Sequence, residues 1–218
     1  MGEHRQHPGF GPGPRQERTG YHHGSLKEAL LDAAEALITE RGPAGISLSE
    51  MARMAGVTPA AVYRHYADLR ALIGSVARRG FEDFSIHLRN AQKNAHDPGN
   101  GIRGFQGMGN AYLDFAQRRP GAYAAMFSSA TGYSDPELEV AGQRAFQTLL
   151  DGVAAALAPQ NLPADAAFQT ALKIWALSHG IATLAQSGRL SPANGCVPQD
   201  LLRDGVEAII LGARSPRS

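Results

Sequence analysis

Residues 47–66, SLSEMARMAGVTPAAVYRHY, constrain the fold more than any other part of this sequence. Ser47 and Glu50 have the three-residue spacing of a capping box, in which two side chains satisfy backbone N–H groups at a helix start. Gly56 provides a C-terminal stop, so the first helix of this stretch should be only about eight residues long.

A second short helix is predicted to follow at once. Thr58 is suited to cap it and Pro59 to occupy its first position, and we expect it to run to about Tyr66. The linking Gly56 accepts the positive φ that a tight interhelical turn often needs. Two abutting short helices joined in this way are typical of a helix-turn-helix.

The rest of the chain is helical by its apolar spacing. A first helix is expected over about 24–41, and Asp68 is placed to cap a long helix that runs to about residue 94. Further helices are predicted over five segments between turn-rich breaks: 101–118, 121–129, 135–158, 164–187 and 198–212. No segment alternates apolar and polar residues as a half-buried strand would, so the predicted fold class is all-α.

These patterns divide the chain into four parts. Residues 1–20 are rich in Gly, Pro, Arg and His and have little to bury, so we expect a disordered tail. A three-helix helix-turn-helix headpiece is predicted over 21–67 and a connecting helix over 68–94. Residues 95–218 are expected to form a larger helical domain.

Basic residues are unevenly distributed along the chain. The formal net charge of +1 does not by itself indicate a nucleic-acid partner. Residues 53–80, however, contain one acid, Asp68, and five arginines: Arg53, Arg64, Arg70, Arg78 and Arg79. Residues 81–218 carry 11 Lys and Arg against 12 Asp and Glu. The local excess fits either a solvated basic face or a surface for an anionic partner.

Cysteine usage and hydropathy indicate the compartment. Cys196 is the only cysteine, which excludes an intramolecular disulfide and fits a reducing environment. No apolar run approaches the roughly 20 residues of a membrane span, and the N-terminus lacks the apolar core of a secretory signal. We expect a cytoplasmic protein with no membrane partner.

Three patterns that could indicate other chemistry are weak. Gly99–Gly104 satisfies G-x-G-x-x-G, but it follows an amphipathic helix rather than a strand. Ser178-His179 has no evident acid partner for hydrolysis. The histidines near the N-terminus lack cysteines or carboxylates at ligand spacing: His4, His7, His22 and His23. We therefore expect no cofactor, no metal site and no catalytic residues.

The second short helix carries side chains that suit DNA. Arg64 could hold a guanine bidentately, and the Thr58 hydroxyl at a helix N-terminus suits a phosphate. The tips of Tyr63 and His65 can donate to phosphate oxygens. The alternative, in which Tyr63 and His65 only pack a three-helix bundle, stays open.

Residues 20–75 resemble the TetR/AcrR family of bacterial transcriptional regulators. The resemblance rests on ALLDAAEALITERG and SLSEMARMAGVTPAAVYRHYADLRALI, which follow the family pattern of Ser/Thr-Leu, Ala-Gly-Val-Ser/Thr and Tyr-x-His-Phe. Farther on, KIWALSHGIATLA resembles the Trp-x-x-x-His-Gly signature of one C-terminal subgroup, and YHHGSLKEALLDAA resembles that subgroup's start. The resemblance implies a homodimer on a palindromic operator, with a ligand cavity in the larger domain.

Residue roles implied by the family fall on the two short helices. Ser47 would contact phosphate, and Tyr63 and His65 would grip the DNA backbone. The reading surface would run from Thr58 to Arg64 and include three small residues: Pro59, Ala60 and Ala61. Tyr66 stands where the family usually has Phe and should still fill the headpiece core.

Two positions depart from the family pattern. Ser49 stands where many members have a base-reading Arg, and Leu69 where they have a phosphate-binding Lys. Arg70, one residue later, is the candidate for that phosphate contact. The operator sequence therefore cannot be inherited from a relative.

Two aromatic stripes are candidates for the ligand cavity, with ordinary core as the alternative. Phe105, Met108, Tyr112 and Phe115 share one helix face, and Phe168, Leu172, Trp175 and His179 share another. Such a lining predicts a small apolar or aromatic effector.

Dimerisation is expected to use apolar and small residues of the last two helices: Ala171, Leu202, Val206, Ile209 and Ile210. The alternative is that these residues close the core of a single chain. For the tail, Arg15 and Arg18 are candidates for a minor-groove contact.

The sequence thus predicts a ligand-responsive DNA-binding regulator, most simply a repressor, and not an enzyme. A function of another class stays open, namely a helical small-molecule enzyme or carrier with a degenerate headpiece. The arginine excess of residues 53–79 favours the regulator.

Overall fold

A computed structural model describes residues 23–94, 101–129, 135–158 and 165–214, with the side chains of 26–94, 104–129, 135–158 and 165–213. These residues form helices and connecting turns, and no strand occurs within them. The helices are α1 His23–Arg41, α2 Leu48–Met54, α3 Pro59–Tyr63, α4 Leu69–Asn94, α5 Gly101–Arg118, α6 Pro120–Met126, α7 Pro136–Leu157, α8 Ala166–Gln186 and α9 Pro198–Arg214. The all-α fold class is confirmed. The tail of residues 1–20, with its histidines and Arg15 and Arg18, lies outside the described residues, as does the start of the glycine motif at Gly99.

The N-terminal caps of the two short helices form as the sequence predicted. The Ser47 hydroxyl accepts a hydrogen bond from the Glu50 N–H at 3.3 Å and donates to the Glu50 carboxylate at 3.2 Å. The Thr58 hydroxyl accepts from the N–H of Ala61 at 3.3 Å. Gly56 between the two helices has φ of 67°, in the region that favours glycine.

Helix α3 ends earlier than predicted. The sequence predicted a helix to Tyr66, but α3 stops at Tyr63 and the N–H groups of His65 and Tyr66 both bond to the Val62 carbonyl. Asp68 caps the next helix soon after this turn, accepting from the Ala71 N–H at 2.8 Å. The turn directs Tyr66, only 3% exposed, into the core.

Helix α4 belongs to two hydrophobic cores. Its N-terminal half, with Leu72, Ile73 and Val76, packs in a headpiece core together with buried residues of α1, α2 and α3. Its C-terminal half, with Phe84 and Leu88, packs in a body core with α5 to α9. With 26 residues, α4 spans about 39 Å as one continuous helix.

Helix α6 lies between the same two cores. Ala125 packs in the headpiece core, whereas Tyr123 and Met126 pack in the body core. Glycines allow the close approach: a Cβ on Gly121 would fall well under 3.0 Å from the Glu35 carbonyl oxygen of α1. A Cβ on Gly80 of α4 would lie 3.0 Å from the Met126 sulfur. Helix α6 therefore packs directly on the backbone of α1, and its side chains pack closely on α4 at Gly80.

Substituting Gly121→Ala should destabilise the protein by about 1–3 kcal/mol or more, because the added methyl group meets backbone atoms that cannot rotate away. Gly74→Ala is the matched control: it also adds a methyl to a buried helical glycine, but the new Cβ would lie 3.5 Å from its nearest neighbour, an ordinary contact. The control should be neutral or stabilising by up to about 1 kcal/mol. Urea denaturation checks both, and equal midpoints for the two variants would contradict the close α1–α6 packing.

Candidate functional site

The outer face of α3 is a row of exposed side chains. Tyr63 is 57% exposed, and Thr58, Pro59, Ala60 and Arg64 are exposed as well. Of the five residues in this helix only Val62 is buried, and it fills the headpiece core. The sequence prediction that the Tyr and Arg tips face outward thus agrees with their position.

The other predicted surface residues flank this row. Ser47 and Ser49 are exposed at the start of α2, and Arg70 is exposed in the first turn of α4. Ala61 and His65 are half-buried, so each presents only part of its side chain.

The arginine excess divides into two groups with different roles. Arg78 pairs with Glu137 of α7, and Arg79 pairs with Glu28, Asp32 and Glu35 of α1. These two residues hold helices together. The use of all five arginines as evidence for an anionic partner is therefore wrong for Arg78 and Arg79. The remaining three form no ion pair within the described residues: Arg53, Arg64 and Arg70.

Tyr66 fills the headpiece core, as the resemblance implied. Its hydroxyl is buried without a hydrogen-bond partner among the described residues. Ser75 is near enough to favour the ionised phenol, but its hydroxyl donates to the Ala71 carbonyl instead. Burial dominates and raises the pKa of Tyr66 to about 12, so the phenol is neutral at physiological pH.

A main cavity of about 920 Å³ opens in the body. Its wall is formed by residues from α4 to α8: Phe81, Phe84, Leu88, Tyr112, Met126, Phe127, Ser128, Ser129, Gly142, Gln143, Ala145, Phe146, Gln147, Leu149, Phe168, Leu172 and Trp175. Among these described residues none is an acid, a lysine, an arginine or a histidine. The volume is at the upper end of the range for small-molecule sites, and the wall suits a neutral apolar or aromatic guest.

Aromatic rings contact one another along this wall. Phe146 meets Phe168 edge-on at 5.8 Å between ring centroids and Trp175 at 5.9 Å. Phe84 meets Tyr112 edge-on at 5.0 Å. Phe168 and Trp175 are 45% and 38% exposed, so they are available at the mouth of the cavity.

The structure brings only half of the eight predicted ligand residues to the main cavity. Tyr112, Phe168, Leu172 and Trp175 line it. Phe105 and Met108 line a second cavity next to it. Phe115 and His179 line neither and are corrected to supporting positions behind the wall, where Phe115 packs on Phe84 at 5.1 Å and His179 on Phe127 at 4.5 Å.

Sequence reasoning missed the contribution of α4, α6 and α7 to the cavity. On α4, Phe81, Phe84 and Leu88 have i, i+3, i+7 spacing. This spacing places them on one helix face, so the sequence does contain a signal for them. For Phe127 and Phe146 no local signal separates a cavity wall from ordinary core.

A chain of three polar side chains leads from Tyr112 in the cavity wall to Tyr123 and His179 behind it. The Tyr112 and Tyr123 hydroxyl oxygens are 3.2 Å apart, and the Tyr123 hydroxyl is 2.8 Å from Nδ1 of His179. Burial lowers the pKa of His179 and raises that of Tyr112 to about 12, with Tyr123 also raised. All three groups are neutral near pH 7, so this hydrogen-bonded chain adds no charge beside the main cavity.

The junction of headpiece and body is an ion-pair network centred on Glu35 of α1. Its carboxylate accepts from Arg119 Nη2 at 2.7 Å and from Arg79 Nη2 at 3.0 Å. Arg119 also contacts Asp83 of α4 at 3.2 Å. Only 13% of the Glu35 side chain is exposed. One carboxylate therefore connects α1, α4 and the start of α6.

The predicted dimer residues are mostly internal. Ala171, Leu202, Val206 and Ile210 are buried in the body core, and Ile209 packs against it. The four buried residues close the core of the single chain, which corrects their assignment as contact residues, whereas the partly exposed Ile209 stays a predicted contact. Besides Phe168 and Trp175 at the main cavity, α8 and α9 expose three leucines: Leu184, Leu201 and Leu211, each 41–50% exposed.

No helix within the described part of the chain is long and apolar enough to cross a membrane. The same part holds no cluster of three or more His, Cys, Asp or Glu residues that could bind a metal ion.

Two segments match known protein families. Residues 30–76 match the bacterial regulatory proteins of the tetR family, and residues 105–209 match the tetracyclin repressor-like C-terminal domain. The first segment contains α2, α3 and Arg70 of α4, and the second contains most of both cavities.

Relatives and solved structures agree with these matches. The HTH-type transcriptional regulator YobS of Bacillus subtilis is 26% identical over 102 residues, which is 47% of this chain and only about half, 51%, of YobS. A protein of unknown function from Rhodococcus sp. RHA1 superposes with a TM-score of 0.75 at 29% identity, over 90% of this chain and 98% of that one. The transcriptional regulator RHA1_ro04179 from the same organism has a TM-score of 0.66 at 23% identity, over 88% of this chain and 99% of that one, and shares the fold.

Substituting Glu35→Gln should reduce the stability by about 1–3 kcal/mol at pH 7, because two arginines lose a charged acceptor. Hydrogen bonds and charge from Arg119 and Arg79 outweigh burial and lower the pKa of Glu35 below 4.5. Its stabilisation is therefore present above about pH 4.5 and is lost as the pH falls through the lowered pKa. Urea midpoints of the wild type should drop more steeply below pH 4.5 than those of Glu35→Gln.

Glu40→Gln is the control for this series, because Glu40 is an exposed carboxylate on the same helix. It should leave both the midpoint and its acid dependence close to those of the wild type. Parallel pH curves for Glu35→Gln and the wild type would refute the central role of Glu35.

Proposed function

Because the chain belongs to the TetR family of bacterial regulatory proteins, we propose that it is a ligand-responsive transcriptional regulator. In its simplest form it is a repressor that leaves a palindromic operator when a small apolar or aromatic effector binds. The observation that carries this proposal is the outer face of α3, where Tyr63 and Arg64 are exposed beside a capped helix start. DNA binding of this kind would place the protein in the cytoplasm.

The proposed reading surface combines base and phosphate contacts. Arg64 at the end of α3 can reach the O6 and N7 atoms of guanine in the major groove. Thr58 and Ser47 lie at helix starts, where free N–H groups favour phosphates. Arg53 and Arg70 are exposed and can neutralise phosphates on either side, although the charge of Arg53 also acts on Glu50.

A palindromic operator requires two copies of the chain. We propose that the exposed apolar residues of α8 and α9, Leu184, Leu201 and Leu211, form the contact face in place of the buried residues that sequence indicated. A two-fold axis through this face would hold two α3 helices in successive major grooves, about 34 Å apart.

The proposed effector acts through helices that the cavity and the headpiece share. Phe81, Phe84 and Leu88 of α4 and Met126 of α6 line the main cavity. The other half of α4 lies in the headpiece core, and α6 touches the α1 backbone at Gly121. An effector that pushes these side chains apart must move α4 or α6. Because both helices contact the headpiece, the headpiece and its helix α3 would move as well.

The energetic demand on such coupling is small. A tenfold loss of operator affinity requires about 1.4 kcal/mol of difference between the ligand's affinities for the two conformations. Burial of two methylene groups supplies about that much. The effector therefore needs only a modestly higher affinity for the conformation that cannot bind the operator than for the one that can.

The direct test is binding of the purified chain to the promoter region upstream of its own gene, with a scrambled fragment as control. Tight binding that weakens steeply with salt supports the regulator, since several phosphates would be neutralised. Equal affinity for both fragments, or none for either, would favour the helical carrier or enzyme with a degenerate headpiece.

Substituting Arg64→Ala should weaken operator binding by about 1–3 kcal/mol and relax the preference at one base position, because a bidentate guanine contact is lost. Arg189→Ala is the control, since Arg189 is an exposed arginine outside the headpiece. Fluorescence anisotropy on single-base operator variants measures both effects. An equal loss on every sequence would make Arg64 a phosphate contact instead.

Substituting Leu201→Glu should shift the protein from dimer to monomer at micromolar concentration without unfolding it, because the new charge would be buried only in the dimer. Sedimentation velocity measures the change. Val140→Glu, at an equally exposed apolar residue of α7, should leave the dimer intact. A dimer that survives Leu201→Glu would place the interface elsewhere.

A further inference from the structure

A second cavity of about 370 Å³ adjoins the main cavity on the side of α9. Its lining comes from α4, α5, α7, α8 and α9. Phe105 and Met108, two predicted ligand residues that do not line the main cavity, line this one.

Three side chains separate the two cavities. Leu88 of α4, Tyr112 of α5 and Leu149 of α7 line both, so each of them has one cavity on either side. Tyr112 is fixed by its hydrogen bond to Tyr123, whereas the two leucines are held only by packing. A change of leucine rotamer is a small rearrangement that would join the cavities.

The two cavities differ in chemistry. The main cavity is walled by aromatic rings and contains no charged side chain among its described residues. The second has an aliphatic inner part with Leu149, Ile174 and Leu202 and a polar end. That end holds a group of more exposed polar residues: Gln106, Asn110, Gln199, Asp200 and Arg203. The buried Ser178 adds a hydroxyl to the lining.

We propose that a single elongated, uncharged amphiphile occupies both cavities, with its aromatic or alicyclic end in the main cavity and its chain passing between Leu88, Tyr112 and Leu149. This inference rests on the proposed function and specifies its effector. The terminal group of the chain is a neutral hydrogen-bonding group, such as a hydroxyl or an amide, at the polar end of the second cavity.

The charges at the polar end argue for a neutral terminus. Arg203 Nη1 lies 2.6 Å from Asp200 Oδ1, and Arg203 also contacts Asp204 at 3.2 Å. The arginine is thus already neutralised, and a carboxylate terminus would have to displace an acid. A cationic terminus would have to compete with the Arg203 guanidinium for Asp200 and Asp204. Ser178 and the side-chain amides can instead donate to or accept from a neutral group without breaking the ion pair.

A series of ω-phenylalkanols with 2 to about 10 chain carbons tests the proposal. Trp175 lines the main cavity and is the only tryptophan in the chain, so its fluorescence reports binding of every member. In the wild type we expect the affinity to rise by about fourfold per methylene through the longer members, because each added methylene is transferred from water into the second cavity.

Two variants narrow the second cavity without touching the main one. Val206→Phe places a ring in its aliphatic part, and Gly109→Leu adds a side chain from α5, next to Leu202. Either variant that retains the wild-type melting temperature should bind short phenylalkanols normally and lose tenfold or more in affinity for the longest. Phe168→Ala, which alters only the main cavity, should weaken all members alike.

Each outcome decides the inference. Equal affinities of wild type and narrowed variants for the longest alkanol would overturn it while leaving the ligand cavity of the proposed function intact. Tighter binding of the matching ω-phenylalkanoate or ω-phenylalkylamine than of the alkanol would overturn the neutral terminus. Absence of binding by every phenylalkanol, short ones included, would overturn the apolar effector of the proposed function and this inference with it.

Discussion

The structure depends on one helix that is packed into two cores at once. Leu72, Ile73 and Val76 at one end of α4 are buried with the short helices, and Phe84 and Leu88 at the other end are buried with the body. Neither set can change its partners without moving the helix between them, since packed interiors deform little. This continuity is what makes a cavity in the body relevant to the orientation of α3. We therefore expect the headpiece and the body to move as one unit rather than as two tethered domains.

The network around Glu35 reinforces the same junction from the outside. Arg79 belongs to α4, Arg119 lies at the start of α6, and Glu35 lies on α1, so one carboxylate fixes the angle between three helices. Gly121 and Gly80 allow α6 to approach α1 and α4 closely enough for this geometry. Because Met126 of α6 also lines the main cavity, the contact between cavity and headpiece involves two helices and not α4 alone. A ligand could therefore bias the headpiece through tilting of α4, through displacement of α6, or through both together.

Local signals in the sequence predicted the elements well and their assembly less well. Capping by Ser47, Thr58 and Asp68 and the turn at Gly56 could be read directly, because each depends on residues three or fewer positions apart. The end of α3 could not be read in this way, since Tyr66 leaves the helix to fill a core built by distant residues.

The main cavity draws residues from five helices, so its wall is a property of tertiary packing that no single stripe reveals. The apolar faces of α8 and α9 were readable as buried, but periodicity does not distinguish the core of one chain from the surface between two. Arg78 and Arg79 show the same limit for charge, because a basic run gives no sign of which members have acidic partners far away in sequence.

The central claim is that two copies of the exposed α3 enter successive major grooves of one duplex. Hydroxyl-radical footprinting of the chain on the promoter fragment upstream of its own gene measures this directly. The account predicts protection related by two-fold symmetry, with the two protected half-sites centred about one helical turn, or 10–10.5 base pairs, apart. A single protected half-site, or uniform protection without symmetry, would contradict it.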